Sequence, residues 1–432
     1  MSAELSRRAL LGLAGAGAVA AGVGAVGVAR AVSDAAASDR VEFYGEHQAG
    51  IATPVQSHLI VSAFDVNTDD VSRLTALLQQ WTAMAAALTS GHEVGDTGAF
   101  NGAPAAPPDD NGEATLLPTA NLTITVGFGA SLFRQPSSRK PSERQGSDRF
   151  GVVDQMPAAL ADLPAFPMDA LDTSRSDGDI GVQVCADDAQ VAMHAMRAIK
   201  RVAFGTCVQR WSQTGFVSRP TDDSTPRNLF GFKDGTANLT TADELNAHVW
   251  ADDEPGWMAG GSYLVARRVA MTIEVWDRTS LAEQEDIIGR RKGDGAPLSG
   301  GDEFSEPDFE APLVDAPAPL PGEPLQQRAI PELAHIRLAH PSRHGGRRML
   351  RRGYNYQDGI DDLGRWDAGL FFMAYSRDPR EHVVPPLAAL ARDDVMNEYI
   401  RHTASAQFAM VPGVRDPSDW WGRDLFEGTS PF

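Results

Sequence analysis

Cysteine is almost missing from this chain: 432 residues hold two, Cys185 and Cys207, in no metal-like spacing. That excludes a disulfide-built scaffold and a cysteine-ligated metal centre. The two thiols pair in an oxidising compartment or stay buried and free, and the sequence does not choose between these. Positive charge is scarce as well, with 38 Lys and Arg against 58 Asp and Glu and a net charge of −20. Such a surface repels phosphate backbones and anionic lipid, so nucleic acid is excluded as a partner. A dinucleotide-binding loop is also lacking. Gly15-Ala16-Gly17-Ala18-Val19-Ala20 fits the fingerprint by letters, but no strand precedes it.

Strongly apolar runs are absent, and the one uncharged stretch is made of Ala and Gly. Ser6-Arg7-Arg8-Ala9-Leu10-Leu11 opens it, Ala9 to Ala29 carry no charge, and Ala29-Arg30-Ala31 is a small-residue cleavage pattern. Residues 1–31 are similar to a twin-arginine signal peptide, although Leu10 and Gly12 stand where Phe and Lys are usual. Its length also permits an uncleaved anchor. Export to the periplasm, cell surface or medium is expected, by a pathway that carries folded proteins with cofactors in place. Without these residues, which hold Arg7, Arg8 and Arg30 against Glu4, the net charge falls to −22.

The full 432-residue chain has 42% hydrophobic and 22% charged residues, enough for two globular domains. Alternation and helical spacing predict strand His58–Val66, helix Val71–Leu88, strands Leu122–Phe128 and Asp179–Cys185, helix Asp187–Ile199 capped by Asp187 or Asp188, and strand Trp211–Ser218. The second half repeats the order. Strand Ser262–Trp276 and helix Thr279–Gly289 with Ser280 as N-cap come first; strands Met349–Tyr356 and Gly369–Tyr375, helix Val384–His402 and strand Ala406–Val411 follow. A Pro- and acid-rich stretch from Gly293 to Pro331 reads as an ordered wrap without regular structure. The fold class is α+β: two ferredoxin-like βαββαβ halves, 41–218 and 219–432, in a dimeric α+β barrel-like arrangement.

Three residues carry chemistry. Asp234 lies in Gly231-Phe232-Lys233-Asp234-Gly235-Thr236, a glycine-flanked turn in which backbone can approach a flat ligand, although Lys-Asp-Gly-Thr also suits an ordinary β-turn. His335, in His335-Ile336-Arg337-Leu338, is a residue type that ligates iron or fills a core, and it borders a β-like alternation. Arg351 and Arg352 are adjacent on a predicted strand, so one points in and one out, and the inward one needs an anion.

Together these segments resemble the dye-decolourising (DyP-type) haem peroxidases. The likeness runs through Phe43–Ile51, Asn228–Asn238, Gly289–Lys292, Gly295–Leu298, His335–Pro341 and Leu350–Tyr356. Gly353, where other branches carry Asn, points to the exported deferrochelatase/peroxidase group. The resemblance implies one haem b per chain, held in the C-terminal half with His335 as axial ligand. Asp234 and Arg351 would form the distal catalytic pair, and Glu398 would hydrogen-bond the proximal imidazole. Gly235, Thr236, Ala237, Arg290, His340, Pro341 and Ser342 would contact the cofactor, Arg290 at a propionate. The implied activity is peroxide-driven oxidation of dyes, phenols or other aromatics through compound I, with electrons passing by Tyr354, Tyr356, Trp366 or Tyr375. The alternatives are release of iron from haem with the porphyrin intact and, more weakly, haem binding without turnover. Expected partners are hydrogen peroxide and an aromatic or haem substrate; a homo-oligomer and iron-uptake proteins are compatible with the reading.

Overall fold

The computed structural model describes residues 39–134, 148–218, 220, 224–252, 256–313 and 328–427; residues 1–31, expected to be a twin-arginine signal, lie outside them. Among the described residues nine strands follow from the alternating stretches: β1 His58–Val66, β2 Thr123–Gly129, β3 Ile180–Ala186, β4 Cys207–Phe216, β5 Ser262–Met271, β6 Leu350–Arg351, β7 Tyr354–Ile360, β8 Trp366–Ser376 and β9 Ile400–Met410. They lie side by side in the order β5-β9-β2-β3-β1-β4-β7-β8-β6, and a β5–β8 pairing closes the ring. Each half keeps the ferredoxin-like order: β2-β3-β1-β4 in the first, and β7-β8-β5-β9 in the second. The halves join edge to edge through β2–β9 and β4–β7, so neither sheet keeps a long open edge. All pairings are antiparallel. From Val41 onward the chain is one compact unit.

Strand periodicity divides the core. Leu59, Val61 and Ala63 of β1 point into the barrel with Trp211, Leu264, Phe371, Met373 and Phe408. Ile60, Phe64 and Val66 point out, under helices α1 (Val71–Thr89) and α2 (Ala189–Ala203), whose Leu74, Leu78, Trp81, Val191, Ala195 and Ile199 cover them. Asp70 caps α1 through Ser72 N, and Asp188 caps α2 through Gln190 N and Val191 N. A third cluster, with Phe230, Phe232, Trp276, Ile287 and Tyr399, lies under the helices of the second half. Those helices are α3 (Leu281–Ile288), capped by Ser280, then α4 (His335–Ala339) and α5 (Val384–Asp393). Cys185 and Cys207 are both buried free thiols.

The structure corrects several boundaries. β4 begins at Cys207, four residues before the expected start, because Val208 and Cys207 continue the ladder onto Asp65 and Val66 past a bulge at Ala63/Phe64. β5 stops at Met271, and Ile273–Trp276 turns into a short helix. The expected helix Val384–His402 ends at Asp393; a 3₁₀ turn, Val395–Glu398, leads into β9, whose first residues already pair with β5. His335 opens a helix rather than a strand. The expected strand Met349–Tyr356 is broken between β6 and β7, both of which pair with β8, at Tyr375–Ala374 and from Phe371 onward. Arg352 sits in that break and is buried, not outward. Its guanidinium bonds Thr53 O and, at 2.6 Å, Gln56 Oε1, so oxygen dipoles stand where a neighbouring anion was expected.

Gly369 marks the tightest approach between β8 and β5. A methyl group there runs into the Val269 carbonyl oxygen and comes within 3.0 Å of the Tyr356 hydroxyl. Gly369→Ala is expected to lower stability by about 1–3 kcal/mol, read as a fall in Tm in thermal denaturation.

Candidate functional site

Four parts of the chain build the site. Asp234 stands in a loop whose backbone is tied down on either side: its own N–H donates to Pro226 O at 2.8 Å, and Asn238 N donates to Gly235 O at 3.0 Å. Gly235 has φ +121, a conformation that side-chain-bearing residues avoid. Upstream, the Asn228 side chain accepts from Phe230 N and Phe232 N, and Arg227 binds the carbonyls of Gly231, Lys292 and Gly293. The motif loop is therefore fixed by backbone bonding, which leaves the Asp234 carboxylate free of structural duty.

Arg351 reaches that carboxylate from β6. Its Nη1 lies 3.8 Å from Asp234 Oδ1, and the two side chains are 32% and 28% accessible. The separation exceeds a hydrogen bond, so the two charges face each other across a small gap.

His335 occupies the first turn of α4. Its Nδ1 donates to Asp394 Oδ2 at 2.7 Å, while the imidazole keeps 28% of its surface accessible. Asp394 is buried between α5 and the following turn, and its other oxygen caps that turn through Met396 N at 2.9 Å. Burial disfavours the imidazolium, but the charge and hydrogen bond of Asp394, with Asp234 beyond, outweigh burial and the opposing Arg351; the net shift is upward from 6.5. His335 thus lies within electrostatic reach of both Asp234 and Arg351. The partner expected from sequence, Glu398, is exposed at the end of the 3₁₀ turn, one turn beyond Asp394. Asp394, not Glu398, holds the imidazole, because it is the residue at the α5 terminus that packs on α4. On the other side of α4, Gly289 at the end of α3, with φ +90, lets α3 approach closely: a Cβ there would meet Ile336 Cγ1 at 2.7 Å.

The wrap bridges the two motif segments. Glu303 accepts from Thr225 N at 3.2 Å and Thr236 Oγ1 at 3.3 Å, and pairs with Lys233, all beside Asp234. Farther along, Glu306 accepts from His340 Nε2 at 2.9 Å, and the Phe309 ring meets His340 edge-on at 4.9 Å. Phe309 O also accepts from the buried Arg337 of α4 at 2.7 Å. Residues 303–309 therefore tie the Asp234 loop to the His335 segment.

The remaining expected residues distribute unevenly. Arg290 is buried, its Nη1 donating to Gly295 O at 2.8 Å and Glu303 O at 2.9 Å, and it feels the charge of Arg351. His340 caps a 3₁₀ turn containing Pro341 and Ser342, with Ser342 exposed. Ala237 is exposed and offers its carbonyl to Arg348 at 3.2 Å. Tyr354, Tyr356 and Tyr375 are fully buried and pack in the core, whereas Trp366 is 54% exposed. Sequence reasoning missed Asp394, Glu303 and Asn238.

Residues 48–217 match the N-terminal domain of the Dyp-type peroxidases, and residues 225–415 the C-terminal domain. The chain belongs to the DyP-type peroxidase family. It is 35% identical to the deferrochelatase of Escherichia coli K12 across 98% of this chain and 97% of that protein. Among solved structures it is similar to a DyP-type peroxidase from Streptomyces coelicolor, with 38% identity and a TM-score of 0.77 over 90% of this chain and 97% of that one. A DyP-type peroxidase from Cellulomonas bogoriensis gives 36% and 0.76 over 90% and 98%. As a member of this family the protein is a haem-dependent oxidoreductase that acts with hydrogen peroxide. The residues present fit that cofactor. An imidazole with Nδ1 committed to a carboxylate keeps Nε2 for a metal, and an acid and a cation stand within its electrostatic reach.

Glu303 generates a pH prediction. Burial pushes its carboxyl up, but the bonds from Lys233 and Thr225 outweigh this and hold it below the usual 4.5. A depressed folded-state pKa gives stability that is complete above about pH 4.5 and lost as pH falls through the folded value. Denaturation measured between pH 6 and 3 should show that acid limb, and Glu303→Gln should flatten it at a cost of about 1–3 kcal/mol at neutral pH.

Proposed function

We propose that His335 would hold the iron of a bound haem and that Asp234 and Arg351 would work on peroxide. The observation that carries this reading is the Asp234–Arg351 pair, held 3.8 Å apart and partly open, on a loop that residues 303–309 tie to the His335 segment. A bound haem would supply the two-electron redox chemistry between peroxide and one-electron reductants. Asp394 keeps the proton on His335 Nδ1, presents Nε2 to the metal and gives the ligand anionic character. The Asp234 carboxylate takes the proton from the near peroxide oxygen and returns it to the far one, which leaves as water. The Arg351 guanidinium holds the charge that develops on the departing oxygen. Arg290, with one nitrogen fixed by carbonyls, is suited to a propionate. The backbone and side chains of Gly235, Thr236, Ala237, His340, Pro341 and Ser342 line the same two segments and would complete the cofactor contacts.

Dyes, phenols and other aromatics are the proposed reductants, oxidised at the surface; the exposure of Trp366 makes it the outlet among the four aromatic candidates. The second reading is removal of iron from haem with the porphyrin left intact. It is favoured by the name of the E. coli relative, which matches this chain almost end to end. Export by the twin-arginine segment suits either role.

His335→Ala should lose the bound Soret band of the holoprotein. Asp234→Asn and Arg351→Leu should keep it and lower kcat/KM for peroxide by about 10²–10⁴-fold; wild-type rates in both variants remove the assignment. Asp394→Asn should raise the haem reduction potential measured by redox titration, whereas Glu398→Gln should leave it unchanged. Incubation with haem separates the two readings: free protoporphyrin supports iron release, and intact haem with oxidised aromatic product supports the peroxidase role alone.

A further inference from the structure

Asn238 lies four residues after Asp234 and touches none of the residues assigned a chemical role through their side chains. Its own side chain is nonetheless fully committed to one of them. Asn238 Nδ2 donates to the Arg351 carbonyl at 2.8 Å, and Asn238 Oδ1 accepts from the Arg351 N–H at 2.9 Å. The two residues are 113 positions apart in the chain. One side-chain amide thus satisfies both backbone groups of a single strand residue, as a neighbouring strand would.

The strand concerned needs it. β6 has two residues, is paired only with β8, and is followed at once by the break at Arg352–Gly353. The backbone groups of Arg351 on the side away from β8 would otherwise lack a partner. The rest of Asn238 is equally fixed: its N–H closes the turn on Gly235 O, and its carbonyl accepts from Arg348 at 3.4 Å. Arg348 in turn pairs with Glu244. Asp234 immediately precedes the Gly235–Asn238 turn, so the amide clamp sets where β6 lies relative to Asp234.

We propose that Asn238 is a positioning residue that fixes the Asp234–Arg351 gap through the Arg351 backbone. The gap is sensitive to small displacement. A shift of about 1 Å either closes it into a mutually neutralising ion pair or withdraws the guanidinium from peroxide. The proposal rests on the roles given to Asp234 and Arg351 above.

The test is a double-mutant cycle on the bimolecular rate of the ferric holoprotein with hydrogen peroxide, followed by stopped flow at the Soret band. Asn238→Ala should slow this rate about 10–100-fold while the KM for an aromatic reductant and the haem content stay close to wild type. In an Arg351→Leu background the same change should cost nothing further, because the guanidinium it positions is gone. Asn238→Asp, which keeps the acceptor for Arg351 N but sets an oxygen against Arg351 O, should fall between wild type and Asn238→Ala; it also serves if the alanine variant does not load haem. Equal losses from Asn238→Ala with and without Arg351, or a wild-type rate in Asn238→Asp, would overturn the positioning role. A wild-type rate in Arg351→Leu alone would instead overturn the distal assignment beneath it.

Discussion

Three charged or chargeable side chains have to be held in partly open space without collapsing onto one another. Asp234, Arg351 and His335 each keep roughly 30% of their surface accessible, and the nearest opposite charges stop at 3.8 Å. Left to itself, an exposed Asp and Arg would either separate into water or close into an ordinary ion pair. The fold prevents both by fixing each residue from behind. Pro226 O and the Gly235 turn hold Asp234, β8 and Asn238 hold Arg351, and Asp394 holds His335. Reactive atoms remain unspent because backbone groups and second residues carry the structural bonding. That is the arrangement electrostatic catalysis requires, since groups already oriented need not reorganise as charge develops.

The barrel makes such fixing possible. Closure through β5–β8 gives β8 three partners, so the two-residue β6 sits on a strand that is itself held on its far side. The wrap then joins the loop bearing Asp234 to the helix bearing His335 through Glu303, Glu306 and Phe309. From composition this stretch reads only as an ordered wrap without regular structure. Glu303 is instead a buried anchor, 7% exposed, whose partners flank the catalytic turn.

Much of this was legible in the sequence, and the pattern of what was not is physical. Strands β1, β2, β3 and β8 and helices α1, α2 and α3 follow local periodicity and cap chemistry, and β1 matches its expected span. The errors fall where pairing partners decide the outcome. Cys207–Arg210 joins β4 because β1 continues past its bulge, and Ile400–Ser405 is strand because β5 lies beside it. Asp234, His335 and Arg351 could be named from their motifs. Asp394, Asn238 and Glu303 could not, since their meaning lies in bonds that span 59, 113 and about 70 residues. The assignment of Glu398 failed for the same reason: two carboxylates four residues apart are equivalent on paper, and only helix packing shows which one faces the imidazole.

The central claim is that these preorganised residues make the protein a peroxide-activating haem enzyme. The most direct measurement is the absorption spectrum of the purified ferric holoprotein mixed with one equivalent of hydrogen peroxide. The account predicts a histidine-ligated Soret band that changes within the mixing experiment and returns when an aromatic reductant is added. A preparation that binds haem through another residue, or a Soret band that stays unchanged under peroxide, would contradict it.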